Sequence, residues 1–185
     1  MFIRSQRLFL RPAFPEDWQA IHTGINDEGI VRMLASVPWP YSEQDARDFA
    51  ARAQNPLLPQ CVITVPDTPG APLIGGIGLQ QSVNGVELGY WLARGFWGRG
   101  YATEAGRALL ASAAAIGHRR IYAAHALDNP ASARVLHKLG FKATGEICVR
   151  KSAGHGGAGV ATRCHILDLG DVAGSDPEPQ MPAAA

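Results

Sequence analysis

The residues best placed to do chemistry lie between Glu87 and Thr103, in the run ELGYWLARGFWGRGYAT. An apolar strand-like segment ends there, three glycines follow (Gly95, Gly98 and Gly100), and a helical pattern begins. The first turn of a helix has amide N–H groups with no intrahelical acceptor, and they sit at the positive end of the helix dipole. Glycines in front of such a turn let an anion approach the backbone, because no Cβ stands in the way. The arrangement suits a phosphate. It is not a nucleoside-triphosphate loop: Gly95 to Gly100 has that loop's spacing, but Tyr101 and Ala102 stand where Lys and Ser or Thr are required. Gly154 to Gly159 repeats the spacing and fails in the same way at Val160 and Ala161. There is no G-x-G-x-x-G, which removes the dinucleotide reading. Taken alone, the turn is also compatible with a tight strand-to-helix connection that binds nothing.

A second segment, DNPASARVLHKLGF from Asp128 to Phe141, sets Asn129 at a strand end just before a helix. Pro130 occupies the first helical turn and Gly140 marks the stop. Ser132 lies one turn before Val135 and Leu136, on the same face. Asn129 by itself reads as a helix cap. The cysteines Cys61, Cys148 and Cys164 are odd in number and widely spaced, and Cys164-His165 is adjacent rather than in ligand spacing, so no metal is expected.

These segments require a frame of strands and helices. Leu8 and Leu10 alternate with Arg7, Phe9 and Arg11, which predicts a first strand over 7–11. Trp18, Ile21 and Ile25 recur at helical spacing within 15–30, after the acidic turn Glu16-Asp17. Ser42 caps a helix expected to reach Ala53, and Pro38-Trp39-Pro40-Tyr41 forms the bend before it. Strands are expected over 61–65 and 73–79. The Asn84-Gly85 hairpin signal returns the chain as a strand over 86–92. A helix from Ala102 to about Gly117, a strand over 121–127, the helix after Asn129, and strands over 141–149 and 160–169 complete the set. Hairpins mixed with strand–helix–strand crossovers give an α/β (α+β) fold built on a mixed sheet.

Length and composition fit one domain over 1–169. The Pro/Ala/Gly-rich tail over 170–185 has no apolar period and is expected to be disordered. The 185 residues are 46% hydrophobic and 18% charged, with a formal net charge of +1, so no global field attracts nucleic acid or an anionic membrane. The N-terminus MFIRSQRLFLRP lacks an apolar signal core, no segment reaches membrane-spanning length, and the unpaired thiols fit the cytoplasm.

The two chemical segments, in this order and at this separation, resemble the GNAT superfamily of acyl-CoA N-acyltransferases. Trp97, Gly98, Arg99, Gly100, Tyr101 and Ala102 fill its pyrophosphate-binding pattern Q/R-x-x-G-x-G/A, with Trp97 in place of Gln or Arg. That departure is shared with the branch similar to ribosomal-protein N-terminal acetyltransferases of the RimJ/RimL type. RLFLRP, WPYSEQDARDF and KLGF also resemble that branch, and the likeness runs from about Arg7 to Leu169.

The resemblance implies a GNAT fold, a mostly antiparallel sheet of about six or seven strands splayed at the cofactor site and flanked by about four helices. It implies acetyl-CoA or CoA as cosubstrate, no metal, and an amine acceptor on a protein N-terminus or a small molecule. Backbone amides of Gly98 to Thr103 would hold the pyrophosphate, with the Thr103 hydroxyl adding a bond and Arg99 within reach of a phosphate. The pantetheine arm would lie along the backbone at Trp91 and Leu92, one of whose N–H groups would face the thioester oxygen. Asn129 and Ser132 would meet the far end of that arm. A neutral amine must attack, so a base is needed. Glu87, on the strand face shared with Gly89 and Trp91, is the first candidate and His125 the second. A salt-bridged Glu87 is the plain alternative. Many GNAT enzymes place an acidic Tyr seven residues after the motif Asn; here that position is Leu136, and Ser132 is the remaining hydroxyl. The absent Tyr leaves a non-catalytic acyl-CoA sensor as the alternative to an active enzyme. A homodimer is compatible with the sequence, which carries no code for the acceptor.

Overall fold

The computed structural model describes residues 1–171. The expected tail therefore falls, from residue 172 on, outside the described residues. Eight strands form a single sheet in the order β1-β2-β3-β4-β5-β6-β8-β7. They are β1 (Ile3–Arg4), β2 (Phe9–Arg11), β3 (Gln60–Thr64), β4 (Leu73–Ser82), β5 (Gly85–Leu92), β6 (Arg120–Ala126), β7 (Lys142–Lys151) and β8 (Gly159–Asp168). Five α-helices accompany them: α1 (Trp18–Ile25), α2 (Glu28–Val31), α3 (Glu43–Ala50), α4 (Tyr101–Ala115) and α5 (Pro130–Lys138). The sheet is mixed and mostly antiparallel, as expected. The added strand is the two-residue β1, too short for an alternation signal, and the added helix is the single turn α2.

The helices sit on both faces of the sheet. On one, Leu109 and Ala113 of α4 and Leu136 of α5 pack against Leu10, Ile63, Ile74, Leu88 and Ile121. On the other, Ile21 and Ile25 of α1, Val31 of α2 and Ala46 and Ala50 of α3 pack around Val62, with Trp91 against them. Each large aliphatic side chain removed from water in this way contributes about 1.5–3 kcal/mol. The heavy use of glycine in β4 has a packing reason. A Cβ on Gly76 would stand 2.6 Å from Nε1 of Trp91, so the bare backbone makes room for the indole.

Several expected boundaries move. The strand expected over 7–11 begins at Phe9 because Ser5 and Leu8 close a turn, with Ser5 N donating to Leu8 O at 2.9 Å. The helix expected across 15–30 starts as a 3-10 turn over Pro15–Asp17, runs as α1, and breaks at Asn26, whose backbone leaves the helical region. Asp27 then caps α2, its carboxylate accepting from Ile30 N at 3.2 Å and from Arg94 at 2.6 and 2.7 Å. The apolar period survives the break because α2 buries Ile30 and Val31 in the same core. Helix α3 stops at Ala50, three residues early.

Two features position the site. Strands β5 and β6 are parallel neighbours that pair only at Glu87↔Tyr122, whereas the antiparallel β4–β5 and β6–β8 ladders run the length of their strands. The loop between β7 and β8 folds onto the chain after α2: Ala153 N donates to Ala35 O at 2.9 Å and the Ser152 hydroxyl to Leu34 O at 3.0 Å. No helix among the described residues is long and apolar enough to cross a membrane.

Candidate active site

The glycine turn after β5 has the geometry its sequence calls for. Arg94–Phe96 makes a 3-10 turn, and Gly98 and Gly100 adopt φ values of +73° and +81°, which cost a residue with a Cβ roughly 1–2 kcal/mol. Gly100 is the N-cap of α4 and provides no side-chain cap; the first helical bond is from Glu104 N to Gly100 O, at 3.0 Å. The amides of Tyr101, Ala102 and Thr103 precede that bond and are left for a ligand. The turn is fastened from both sides. Trp97 Nε1 donates to Leu92 O at 2.7 Å. Arg7 reaches from the N-terminal segment to donate to Arg99 O at 3.1 Å and pairs with Glu104 at 2.7 Å, its guanidinium lying over the Tyr101 ring. Arg99 lies over the Phe96 ring. A depression beside the turn is lined by Gly100 and Thr103 together with Arg7, Arg107 and Lys138, a cationic setting at a helix N-terminus.

Where β5 and β6 part, a cleft of about 440 Å³ opens. It gathers Glu87 and Trp91 of β5, His125 of β6, and Asn129 and Ser132 at the start of α5. The Gly98–Thr103 turn and Leu92 do not line it. Its outer wall is the segment after α2, residues Met33 to Pro38 and Tyr41, together with Arg150 to Ser152, whose last residue is bonded to it. Asp45 and Asp48 of α3 face it as well as Arg32 and Arg52, so both signs of charge border the opening.

Glu87 is buried, with 7% of its surface exposed, and Arg150 Nη1 donates to its two carboxylate oxygens at 2.6 and 2.8 Å. Burial pulls the Arg150 guanidinium down, but Glu87 outweighs it and leaves Arg150 more firmly charged than usual. Asn129 Oδ1 accepts from Ser132 N at 3.0 Å, the capping role of an Asn before a helix. The Ser132 hydroxyl lies 2.7 Å from the hydroxyl of Tyr90. Leu136 is 1% exposed and belongs to the core under α5, so no hydroxyl comes from that position. His125 Nδ1 and His165 Nε2 are 3.0 Å apart. Burial lowers the basicity of both rings, aided by the positive charge of Arg163.

Sequence reasoning missed Tyr90, Arg150 and Arg7. Tyr90 shares its strand face with Leu88 and Leu92 and reads as core. Arg150 lies near the end of an exposed strand, with no local signal that it reaches Glu87. Arg7 reads as a strand residue. Among the described residues, Glu146, Cys148 and Cys164 bring one potential metal-ligand atom each within 4.8 Å of one another, but none of the three lines the cleft.

The GNAT acetyltransferase domain model matches residues 7–142. The chain belongs to the GNAT family of acetyltransferases. Enzymes of this family take their acetyl group from acetyl-CoA and need no metal. The parted strands and the uncapped glycine turn fit that cosubstrate. The fold is similar to that of a GNAT-family acetyltransferase from Bacillus anthracis, with a TM-score of 0.77 at 24% identity over 92% of this chain and 99% of that one. It is similar also to the microcin self-immunity acetyltransferase MccE in complex with acetyl-CoA and AMP (TM-score 0.71, 18% identity, 88% and 93% covered). A third similar structure is RimL, a ribosomal alpha-N-protein acetyltransferase, in complex with coenzyme A (TM-score 0.70, 20% identity, 91% and 98% covered).

Proposed function

We propose that this GNAT acetyltransferase moves the acetyl group of acetyl-CoA onto a primary amine, on a protein N-terminus or a small molecule, by direct attack of the neutral amine on the thioester. The observation that carries the reading is the cleft itself. It lies where β5 and β6 separate, beside the strand that leads into the uncapped start of α4, and is bordered by Glu87 on one side of the sheet and Ser132 on the other.

In this reading the amides of Gly98 to Thr103 hold the pyrophosphate, the Thr103 hydroxyl adds to them, and Arg7, Arg107 and Lys138 offset the remaining phosphate charge. The turn's own Arg99 is a further phosphate ligand. The pantetheine arm runs along β5 at Trp91 and Leu92 like an added strand, and the NH₂ of Asn129 and the hydroxyl of Ser132 meet its end. A backbone N–H at Trp91 or Leu92 donates to the thioester oxygen as negative charge builds there. Glu87, hydrogen-bonded to Arg150, takes the ammonium proton, directly or through a water. His125, neutral and at the edge of the cleft, is the alternate base. When the C–S bond breaks its electron pair leaves on sulfur, where the Ser132 hydroxyl donates a hydrogen bond.

The RimJ/RimL-like branch, supported by the Trp97 motif and by the fold shared with RimL, favours a protein N-terminal amine as acceptor. The test is thiol release from acetyl-CoA in the presence of short peptides with free N-termini and of small amines, with calorimetry of CoA binding alongside. Thiol release that depends on one acceptor class supports the proposal. CoA binding without turnover of any amine points instead to an acyl-CoA sensor, and no binding at millimolar acetyl-CoA overturns both.

A further inference from the structure

The proposed mechanism leaves one question of direction at Ser132. A serine hydroxyl has one proton and two lone pairs, and it supports a departing thiolate only if that proton points into the cleft. Helix α5 cannot fix this, because Asn129 contacts the backbone N–H of Ser132 and not its hydroxyl. What meets the hydroxyl is the phenol of Tyr90, 2.7 Å away. The same phenol oxygen is 3.4 Å from the backbone carbonyl of Ser132. The phenol has one proton to donate, and its contact with Oγ, 2.7 Å against 3.4 Å to the carbonyl, is the one short enough for a strong bond. The phenol is also the stronger acid of the two hydroxyls, so in a Tyr–Ser pair it is the natural donor. Both residues line the cleft where β5 and β6 part.

We infer that Tyr90 is a positioning residue for acetyl transfer: its phenol donates to Ser132 Oγ and so turns the serine proton toward the sulfur of CoA. The inference rests on the reading of Ser132 as the group that supports the thiolate. Tyr90 acts by orientation and not by giving up its own proton. Burial pushes its phenol up to about 12, far above a thiol of ordinary acidity near ~8.5, so a thiolate does not deprotonate it. The electron pair of the broken C–S bond stays on sulfur, the serine keeps its proton while donating it, and the thiolate takes a proton from solvent after release. The core position of Tyr90, between Leu88 and Leu92 on β5, holds the ring on rigid backbone. That is what a device for aiming one hydrogen needs.

The test needs no acceptor. The thiol of bound CoA is titrated by its thiolate ultraviolet absorbance in the full-length chain, with the desulfo-CoA complex as the blank so that protein cysteines and tyrosines cancel. Wild type is compared with Tyr90→Phe, Ser132→Ala and the double variant, and calorimetry checks that each still binds CoA. A hydrogen bond to a charged acceptor makes the bound thiol more acidic. Tyr90→Phe is expected to weaken that acidity by about tenfold and Ser132→Ala by at least as much. The double variant should match Ser132→Ala alone, since Tyr90 works only through the serine. A wild-type titration in Tyr90→Phe, with Ser132→Ala shifted, overturns the role of Tyr90 and leaves the reading of Ser132 standing. Additive shifts in the double variant also overturn it. An unmoved titration in Ser132→Ala removes the serine reading and this inference with it. A tyrosine that merely packs would change the melting temperature and not the titration.

Discussion

Arg150 and Glu87 are 63 residues apart, yet one nitrogen of the arginine donates to both carboxylate oxygens. Their strands, β7 and β5, are separated in the sheet by β6 and β8, so the pair closes over the face of the sheet and not along a ladder. The carboxylate is thereby held at the point where β5 meets β6, the last rung before the strands part.

This pair makes the role of Glu87 separable from its structural value. Glu87→Gln keeps the shape and loses the proton affinity. Acetyl transfer is expected to fall about a hundredfold with CoA affinity nearly unchanged, and the deficit should shrink as pH rises and more acceptor is already neutral. Arg150→Met removes the partner instead. It should destabilise the fold by about 1–2 kcal/mol in a denaturant titration, less than for a fully buried pair because the Arg150 side chain is 24% exposed. An unchanged rate in Glu87→Gln would move the base to His125.

The cofactor turn is expected to fail through its backbone. A Cβ at Gly100 meets only Arg7 Nη2, at 3.5 Å, so space is not what forbids a side chain there. The φ of +81° is. Gly100→Val should abolish CoA binding by calorimetry as the turn leaves the left-handed region, while the chain still folds. Normal binding by a folded Gly100→Val would show that the phosphates sit elsewhere.

The outer wall of the cleft depends on a close approach. A Cβ on Gly154 would fall 2.6 Å from the carbonyl oxygen of Val31, which belongs to α2 backbone and cannot swing aside. Gly154→Ala should push the β7–β8 loop off residues 34–35 and lower the melting temperature. CoA affinity should persist, because none of the cofactor turn is involved. Loss of CoA affinity with an unchanged melting temperature would contradict this separation of the two halves of the site.

Two titrations should be distinguishable in stability against pH. Burial holds His125 and His165 below the ordinary value of 6.5. The unfolded chain therefore takes up protons that the folded chain resists, and stability is lost as pH falls from about 6.5 through the lower folded values. The carboxyls of Asp17 and Glu104 are raised by burial, but hydrogen bonds from Arg11 to the first and from Arg7 and Ser5 to the second outweigh it. Their contribution is present above their ordinary values of 3.8 and 4.5 and disappears only at lower pH. His165→Phe should flatten the melting-temperature profile between about pH 7 and 5 and leave the acid limb in place.

What sequence could reveal divides by range. The hairpin at Asn84-Gly85, the glycine turn, the Asn129 cap and the Ser42 cap are local devices, each spelled by two or three adjacent residues, and all stand where they were expected. The parted strands followed from family resemblance, since no periodicity encodes a missing ladder. Tyr90–Ser132 and Glu87–Arg150 join residues 42 and 63 positions apart, and each member has an ordinary local reading, as a core aromatic, a helix-start serine, a strand glutamate or an edge arginine. The break at Asn26 was hidden for the opposite reason, because the apolar period runs straight through it.

With one rung between β5 and β6, the sheet divides into a part of five strands and a part of three that meet at Glu87. Each contributes an edge whose backbone groups face an interior gap, a place where ordinary sheets have none. If the pantetheine arm lies along β5 as proposed, its own amide groups supply the absent rungs, and loading the substrate would also complete the sheet. Amides bordering the gap should then be the ones whose exchange with solvent slows most when CoA binds.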